Sequence, residues 1–370
     1  MAGSNSKQRM LKSVSLLAVL TCLLLCLLHY LPVVKSFESL MQDAFVTQRA
    51  AKQNPSEDIV VIDIDDTSMN ALAGIVGKWP WPRSVHAELL EFLLAQQPRA
   101  VVFDILFSEP DVYRPDSDQY FSEVLASSKR VYLAMASQSS LNVQAAPLLM
   151  SYPKELLLDK TTRARSDARA FFLLPYAVST EAWHLGNIDF HPDEDGVGRR
   201  YPIYHNFDGW LLPSLPAIVA KDLGFKLPAS PYLTLDWQSK LTIPHQRFSY
   251  AEMLSQARGE GTAIPSSFFK NKIVVIGTTA LGLHDLRATP INEFYPGVFI
   301  LTTALDNLIS GSGLIQIKLL WSLLTGFLLI LIVSFLTVWR GFRVGVGGAA
   351  LMSIFMLSAS WLLVLQGVLV

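Results

Sequence analysis

Three apolar runs constrain this chain more than anything else in it: Val14 to Val34, Leu319 to Val338 and Val344 to Val370. A helix needs roughly twenty such residues to cross the hydrocarbon of a bilayer, and each run supplies them. The stretch from Lys35 to about Gly313 has mixed polarity. It is therefore expected to fold in water on one side of a membrane, because a bilayer core admits only segments whose backbone groups are paired internally. Positive charge assigns the side, since Lys and Arg next to a spanning helix stay in the cytoplasm. Lys7, Arg9 and Lys12 precede the first run, and Arg340 and Arg343 flank the short loop between the second and third. The expected layout is a cytoplasmic stretch 1–13, a spanning helix 14–34, an extracytoplasmic domain 36–313, and spanning helices 319–338 and 344–370. The third run continues to Val370 with no polar exit segment, so the chain reads as ending early, with an output domain lying outside it.

The first run reads as an uncleaved anchor, because its apolar core is longer than that of a signal peptide and no small-x-small site follows it. Both cysteines, Cys22 and Cys26, lie inside it, preceded by Thr21 and Leu25 where a lipoprotein signal needs a small residue. The domain between the anchors thus has no disulfide and must be held by its core, which its length can supply. With 30 basic against 31 acidic residues and no basic cluster, the chain offers nothing to nucleic acid.

After the anchor, Phe37, Leu40, Met41, Ala44 and Phe45 at three- and four-residue spacing predict a helix over Ser36–Gln53, broken at Asn54-Pro55. Three β-branched runs follow: Ile59 to Ile62, Ala100 to Phe103 and Lys272 to Ile276. Runs of this kind make strands buried on both faces. Helices are expected over Pro82–Gln97, Asp118–Ser127, Ser214–Leu223 and Pro296–Ser310. Alternating strands and helices predict an α/β extracytoplasmic domain with a largely parallel central sheet, plus transmembrane α-helices. Gly186 to Phe190 and Arg199 to Tyr204, separated by Asp193-Glu194-Asp195-Gly196, are expected to form two strands joined by a turn. Leu141 to Arg169 shows the least pattern and reads as a loop.

Chemistry-bearing residues gather at the expected strand ends. Asp63-Ile64-Asp65-Asp66-Thr67 closes the first strand with D-x-D-x-T, the opening pattern of haloacid-dehalogenase-like phosphatases, in which the first Asp attacks phosphorus and the second moves the proton. Thr278 is available as a downstream hydroxyl, but no matching acidic pair follows it. Asp104 closes the second strand, with Glu109 and Asp111 beyond. Asp285 and Arg287 follow the last strand. Carboxylates at the C-terminal ends of parallel strands converge on the usual ligand crevice of such sheets. Equally, they serve as helix caps and turn acceptors. Trp79-Pro80-Trp81-Pro82-Arg83 displays two indoles beside a guanidinium, suited either to ligand stacking or to burying a corner of the core while Arg83 bridges to Asp63 or Asp104. The candidate ligand-binding set is Asp63, Asp65, Arg83, Asp104, Glu109, Asp285 and Arg287. No metal site and no cofactor are assigned: His86, His184, His191, His205, His245 and His284 show no paired spacing, and G-x-S-x-G, Walker-type and G-x-G-x-x-G patterns are missing.

Taken in order, V-V-I-D-I-D-D, G-K-W-P-W-P-R-S-V-H-A-E-L-L, A-V-V-F-D-I-L-F-S-E-P-D, G-N-I-D-F-H-P-D-E-D-G-V-G-R-R-Y-P, K-I-V-V-I-G-T-T, A-T-P and P-G-V-F-I-L-T-T-A-L-D-N-L-I-S-G resemble the second type of CHASE domain. These are the cyclase/histidine-kinase-associated sensory extracellular domains. The resemblance covers about residues 36 to 313. It implies a bacterial signal receptor at the plasma membrane, with a sensing domain outside, three membrane helices after it, and a cytoplasmic output such as a nucleotide cyclase, diguanylate cyclase or kinase. This chain shows two of those three helices and no output domain. The expected partners are a small-molecule or other extracytoplasmic stimulus, the lipid bilayer, a signalling output in cis or trans, and a second copy of the chain. Gly345, Gly347 and Gly348 would allow that copy's helices to approach closely. Two other readings stay open: a phosphatase using Asp63 and Asp65, and a structural membrane partner acting through its helices.

Overall fold

The computed structural model describes residues 2–29, 31–138, 145–238, 245–261, 264–265, 267–283 and 285–369. It divides into two compact units: Lys52–Gly313, and a helical unit made of Met1–Ala51 with Leu314–Val370. The helical unit opens with α1 (Ala2–His29) and α2 (Pro32–Ala50). Pro32 sits in the first turn of α2, where its missing N–H costs nothing.

The Lys52–Gly313 unit is built on a mostly parallel sheet. In chain order its strands are β1 (Ile59–Ile64), β2 (Ala100–Phe103), β3 (Val131–Gln138), β4 (Phe171–Leu173), β5 (Leu185–Asn187), β6 (Gln246–Ser249) and β7 (Ile273–Thr278). They lie in the order β6-β1-β7-β2-β3, all parallel. The outer edge of β3 is shared, with β5 parallel along Leu133–Met135 and β4 antiparallel along Ala136–Gln138. The last strand in sequence, β7, thus lies between the first two, with Val60 opposite Val274 and Val274 opposite Val101.

Both faces of this sheet are covered, which is why β1, β2 and β7 read as unbroken apolar runs rather than alternating ones. Val60, Ile62 and Ile64 point to one face and share a core with Val101, Phe103, Val274 and Ile276. The helices α3 (Asp66–Ala73), α4 (Arg83–Ala95) and α5 (Pro115–Ala126) lie here, with Leu89, Leu90 and Leu93 of α4 and Phe121 of α5 fully buried. Further along the chain, α6 (Leu215–Asp222) packs against a later helix, and α7 (Tyr250–Ala257) packs on α3 and α4. That later helix, α8 (Gly297–Ser310), lies on β7. A Cβ at Gly277 of β7 would stand 2.6 Å from Val298 Cγ2, so α8 can approach this closely only over a glycine.

Two expectations change. Gly186–Phe190 and Arg199–Tyr204 do not pair with each other: β5 extends the sheet beside β3, while Arg200–Pro202 pairs antiparallel with Tyr232–Thr234. The acidic turn between them is closed by Asp193 N–H to Val197 O (3.0 Å) and by Arg199 gripping Asp193 and Asp195. Within the patternless stretch, 141–144 lies outside the described residues, and the remainder is pinned by Leu149 and Leu156, which are buried in the core. Isolated apolar residues in short 3₁₀ turns carry no periodicity, so the sequence pattern does not show them.

One carboxylate ties distant parts of this unit together. Asp306 of α8 is 2% exposed, and its Oδ2 accepts from Ser56 N–H (2.9 Å), Gln238 Nε2 (2.7 Å) and His245 Nε2 (3.2 Å). Burial raises its pKa, but these donors outweigh burial and hold it below the usual 3.8.

In the helical unit, α9 (Leu319–Arg340) and α10 (Phe342–Leu365) pack together as a hairpin turning at Gly341, whose φ of 92° suits glycine. Beyond α10, Val368–Leu369 pairs with Ile315–Gln316, which brings the end of α10 beside the start of α9. Arg49 of α2 donates to the α10 carbonyls of Leu365 (2.6 Å) and Val364 (3.5 Å), capping its negative end. Leu320, Leu323, Leu324, Phe327 and Leu328 on α9 and Leu351, Ile354 and Phe355 on α10 are exposed, an apolar surface of the kind that marks a protein–protein or membrane interaction site.

Replacing Asp306 by Ala leaves two buried donors, on Gln238 and His245, and the half-buried Ser56 N–H without their acceptor, and is expected to cost about 3 kcal/mol. Thermal unfolding of the full chain should then shift down by roughly 6–12 °C. Because the folded pKa is depressed, the stabilisation is present above 3.8 and is lost as pH falls through the lower folded value, so the wild-type advantage should vanish in acid. An unchanged Tm for Asp306→Ala would rule out the tie.

Candidate functional site

Parallel strands deliver the residues just past their C-terminal ends to one edge of the sheet, and here the strand order places the late strand β7 between β1 and β2 at that edge. A cavity of about 540 Å³ opens beyond the C-terminal ends of β2, β3, β5 and β7, bounded on one side by the first turn of α8 at Gly297, Ile300 and Leu301. That volume is in the range of small-ligand sites.

Asp104 follows β2 directly and faces this cavity. Its N–H is still held by Ile276 O of β7 (2.8 Å), so the backbone is fixed in the sheet while the side chain leaves it. Its carboxyl has no hydrogen-bond partner among the described residues. Burial, and then the charge of Asp285, push its pKa from 3.8 up to about 7. Asp285 reaches the cavity from the loop after β7 and pairs with Arg287 Nε at 3.4 Å. A Cβ at Gly297 would collide with the Asp285 carboxylate, so that glycine makes room for the charge. Its N–H also donates to Asp285 O (2.9 Å), fixing the loop.

Asp189 enters from the end of β5. It accepts from Ser137 N–H (2.9 Å), the Ser137 hydroxyl and Asn187 Nδ2 (3.0 Å), so its charge is already satisfied. Tyr201 is 3% exposed and stacks on Phe190 with ring centres 5.8 Å apart. Its hydroxyl has no hydrogen-bond partner among the described residues, and burial followed by the charges of Asp104, Asp189 and Asp285 pushes its pKa well above 10.0. Trp79 adds an aromatic wall.

Of the seven residues expected to bind a ligand, the structure brings Asp104, Asp285 and Arg287 to this cavity. The other four stand elsewhere. Asp63 is fully buried and clamps the loop after β7: Oδ1 accepts from Thr279 N–H (2.9 Å), and Oδ2 from the Thr279 hydroxyl (2.7 Å) and Arg247 Nη1 (2.8 Å). Asp65 caps α3 through Ser68 N–H (2.7 Å) and also accepts from the hydroxyls of Ser68 and Ser249. The D-x-D-x-T carboxylates are therefore occupied by the chain's own donors, and Thr278 donates to Ile64 O rather than facing a substrate. Arg83 meets neither Asp63 nor Asp104. It donates to Glu109 O (3.1 Å) and Trp81 O (3.4 Å) and lies over the Phe107 ring at 5.2 Å, while Glu109 is on the surface. Trp81 is 1% exposed and packs on Tyr250, and the Trp79–Pro80 bond is cis rather than part of an extended string. His284 lies outside the described residues, and among the described residues no three His, Cys, Asp or Glu gather as a metal site.

Asp189 and Tyr201 were not among the expected site residues. Asp189 was accessible to the same strand-end rule as Asp104, had Leu185–Asn187 been read as a sheet strand rather than half of a hairpin.

A family model described as CHASE2 domain matches residues 18–339. The chain belongs to the CHASE2 domain family. CHASE2 domains are extracellular sensory domains, so the Lys52–Gly313 unit, which holds the cavity, makes up most of a sensory module. The match runs further at each end than the residues 36–313 that carry the motifs, taking in part of α1 and nearly all of α9. No curated protein and no solved structure matches the chain.

In this CHASE2 domain, a raised Asp104 pKa means the folded state keeps a proton that the unfolded state releases. Stability is then lost as pH rises from 3.8 to about 7 and is level above it. Asp104→Asn removes that loss, so its Tm should match wild type near pH 4 and exceed it near pH 8, by on the order of 2–4 kcal/mol in stability. A lower Tm at the higher pH would show that the carboxylate is paired. Asp63→Asn should instead lower stability by about 2 kcal/mol at neutral pH, because it turns an acceptor for three donors into a group with two hydrogens of its own. Unchanged unfolding would dismiss the clamp.

Proposed function

We propose that this chain is the sensory part of a bacterial membrane receptor, with Lys52–Gly313 outside the cell and the helical unit anchoring it in the plasma membrane. The observation that carries the reading is the cavity at the sheet's C-terminal edge, where the half-buried Asp104 has no partner of its own among the described residues. A carboxyl left in that condition costs stability, and a fold that needed only a core would not retain it. The lipid-facing role of α9 and α10 is supported by their length and their exposed apolar side chains. Outside placement of the domain is supported by the family, by Lys7, Arg9 and Lys12 before α1's apolar stretch, and by Arg340 and Arg343 at the hairpin turn.

The relay we envisage runs along α8. Its first turn lines the cavity, and its last residue, Ser310, is four positions from Leu314, where the helical unit resumes. A ligand that favours one position of α8 over another biases the helices joined to it, and through them a cytoplasmic output carried in cis or in trans. A second copy of the chain is the natural partner for such a signal.

Topology can be checked by single cysteines in a background with Cys22 and Cys26 replaced by Ser. Lys129→Cys should react with a membrane-impermeant maleimide in intact cells, and Arg343→Cys only after permeabilisation; the reverse pattern would invert the orientation. The cavity can be checked with Leu283→Trp, which fills its half-exposed mouth. A metabolite library screened by thermal shift on the full chain should yield a compound that stabilises wild type and slows amide exchange in the first turn of α8. The same compound should do neither in Leu283→Trp. A stabiliser indifferent to that substitution would place the ligand elsewhere.

A further inference from the structure

The chemistry of the cavity wall narrows its ligand, on the reading that this cavity is the sensory site. Three carboxylates face it, from three separate segments: Asp104 after β2, Asp189 after β5, and Asp285 after β7. One cation, Arg287, lines it, and that guanidinium already sits against Asp285. Asp189 is satisfied by Ser137 and Asn187. What remains unbalanced is Asp104, together with the buried Tyr201 hydroxyl, which has no partner among the described residues. Aromatic faces from Trp79, Phe190 and Tyr201 complete the wall. Carboxylates and ring faces both attract positive charge, and an anion here would face three acidic side chains against one guanidinium that is already paired.

We propose that the cavity binds a small organic cation bearing a primary ammonium group, seated between Asp104 and Asp285 and flanked by aromatic rings. The ammonium donates to Asp104 and to the free oxygen of Asp285, and the Tyr201 hydroxyl takes a hydrogen bond from the ligand's body or gives one to it. A metal ion alone is a poorer occupant, because among the described residues no three ligating side chains gather there. Binding also requires Asp104 to give up its proton. Affinity should therefore rise as pH passes upward through about 7; the other titratable groups facing the cavity are Asp189, His191, Tyr201, Asp285 and Arg287.

The test is calorimetric titration of the full chain in detergent with charge-matched pairs: phenethylamine against phenylacetate, and 1,5-diaminopentane against glutarate, with calcium chloride alone as a further probe. At least one amine should bind while its carboxylate counterpart does not. Asp104→Asn and Asp285→Asn should each weaken that amine by about tenfold or more. Asp104→Asn should also abolish the rise with pH, which a merely structural loss would not do. Preference for a carboxylate, binding of calcium alone, or no binding by either amine overturns the cation assignment. If a carboxylate binds and Leu283→Trp blocks it, the cavity stands as the sensory site and only the ligand class falls. If an amine binds and Leu283→Trp leaves it untouched, the cavity itself falls.

Discussion

Without Ile273–Thr278, the facing edges of β1 and β2 have no partners, and the sheet falls into two pieces, β6 with β1 and β2 with β3, β4 and β5. Inserting this late strand satisfies both edges at once and closes a sheet whose central members are dry on both faces. The rest of the CHASE2 domain depends on it. The loop that leaves β7 is caught by Asp63 through Thr279, continues to Asp285, and leads into α8, which can lie on β7 because Gly277 carries no side chain. Asp306 then ties α8 back to Ser56 just before β1. Sheet, cavity wall and the helix leading out of the unit are thus set by the seating of one strand.

The division of labour among the acids has its origin in the same geometry. Asp63 lies inside β1 and is surrounded by donors from β6 and from the loop after β7, so it is spent on structure. Asp65 is one step past β1 and becomes the cap of α3. Asp104 is one step past β2, where no helix begins at once and the neighbouring strand offers only a backbone carbonyl; its carboxyl is left to the cavity. Carboxylates at closely similar places beside their strands therefore differ entirely in role, and local hydrogen-bond supply decides which of them is available to a ligand.

Much of this was legible in the amino-acid order. The β-branched runs place β1, β2 and β7 within two residues at either end, and α4, α6 and α8 begin and end close to their predicted limits. Strand β3, Val131–Gln138, carries no such signal because its second half, Ala134 to Gln138, mixes small and polar residues, the last three of which lie beside β4 rather than in the sheet's apolar centre. The false hairpin arises from a strong turn: Asp193 to Gly196 does turn the chain, but the segments on either side find better partners far away in sequence. In the site, Asp104, Asp285 and Arg287 were reachable from the rule that ligands sit beyond strand ends. The same rule also nominated Asp63 and Asp65, because sequence cannot show which donors will fold back onto a carboxylate. Arg83 stands away from this cavity for a related reason: its partner is a backbone carbonyl, at Glu109, and backbone acceptors carry no sequence signature.

A negatively charged cavity at the sheet's edge, in an extracytoplasmic domain and open to a ligand, is the center on which this reading of the protein turns. The most direct measurement is the rate at which a Leu283→Cys thiol at the cavity mouth, in a chain with Cys22 and Cys26 replaced by Ser, reacts with membrane-impermeant cationic and anionic methanethiosulfonates on intact cells. The cationic reagent should be favoured beyond its preference for a free thiol in solution, with an excess that shrinks in Asp104→Asn. Preference for the anionic reagent, or reaction only after the membrane is opened, would contradict it.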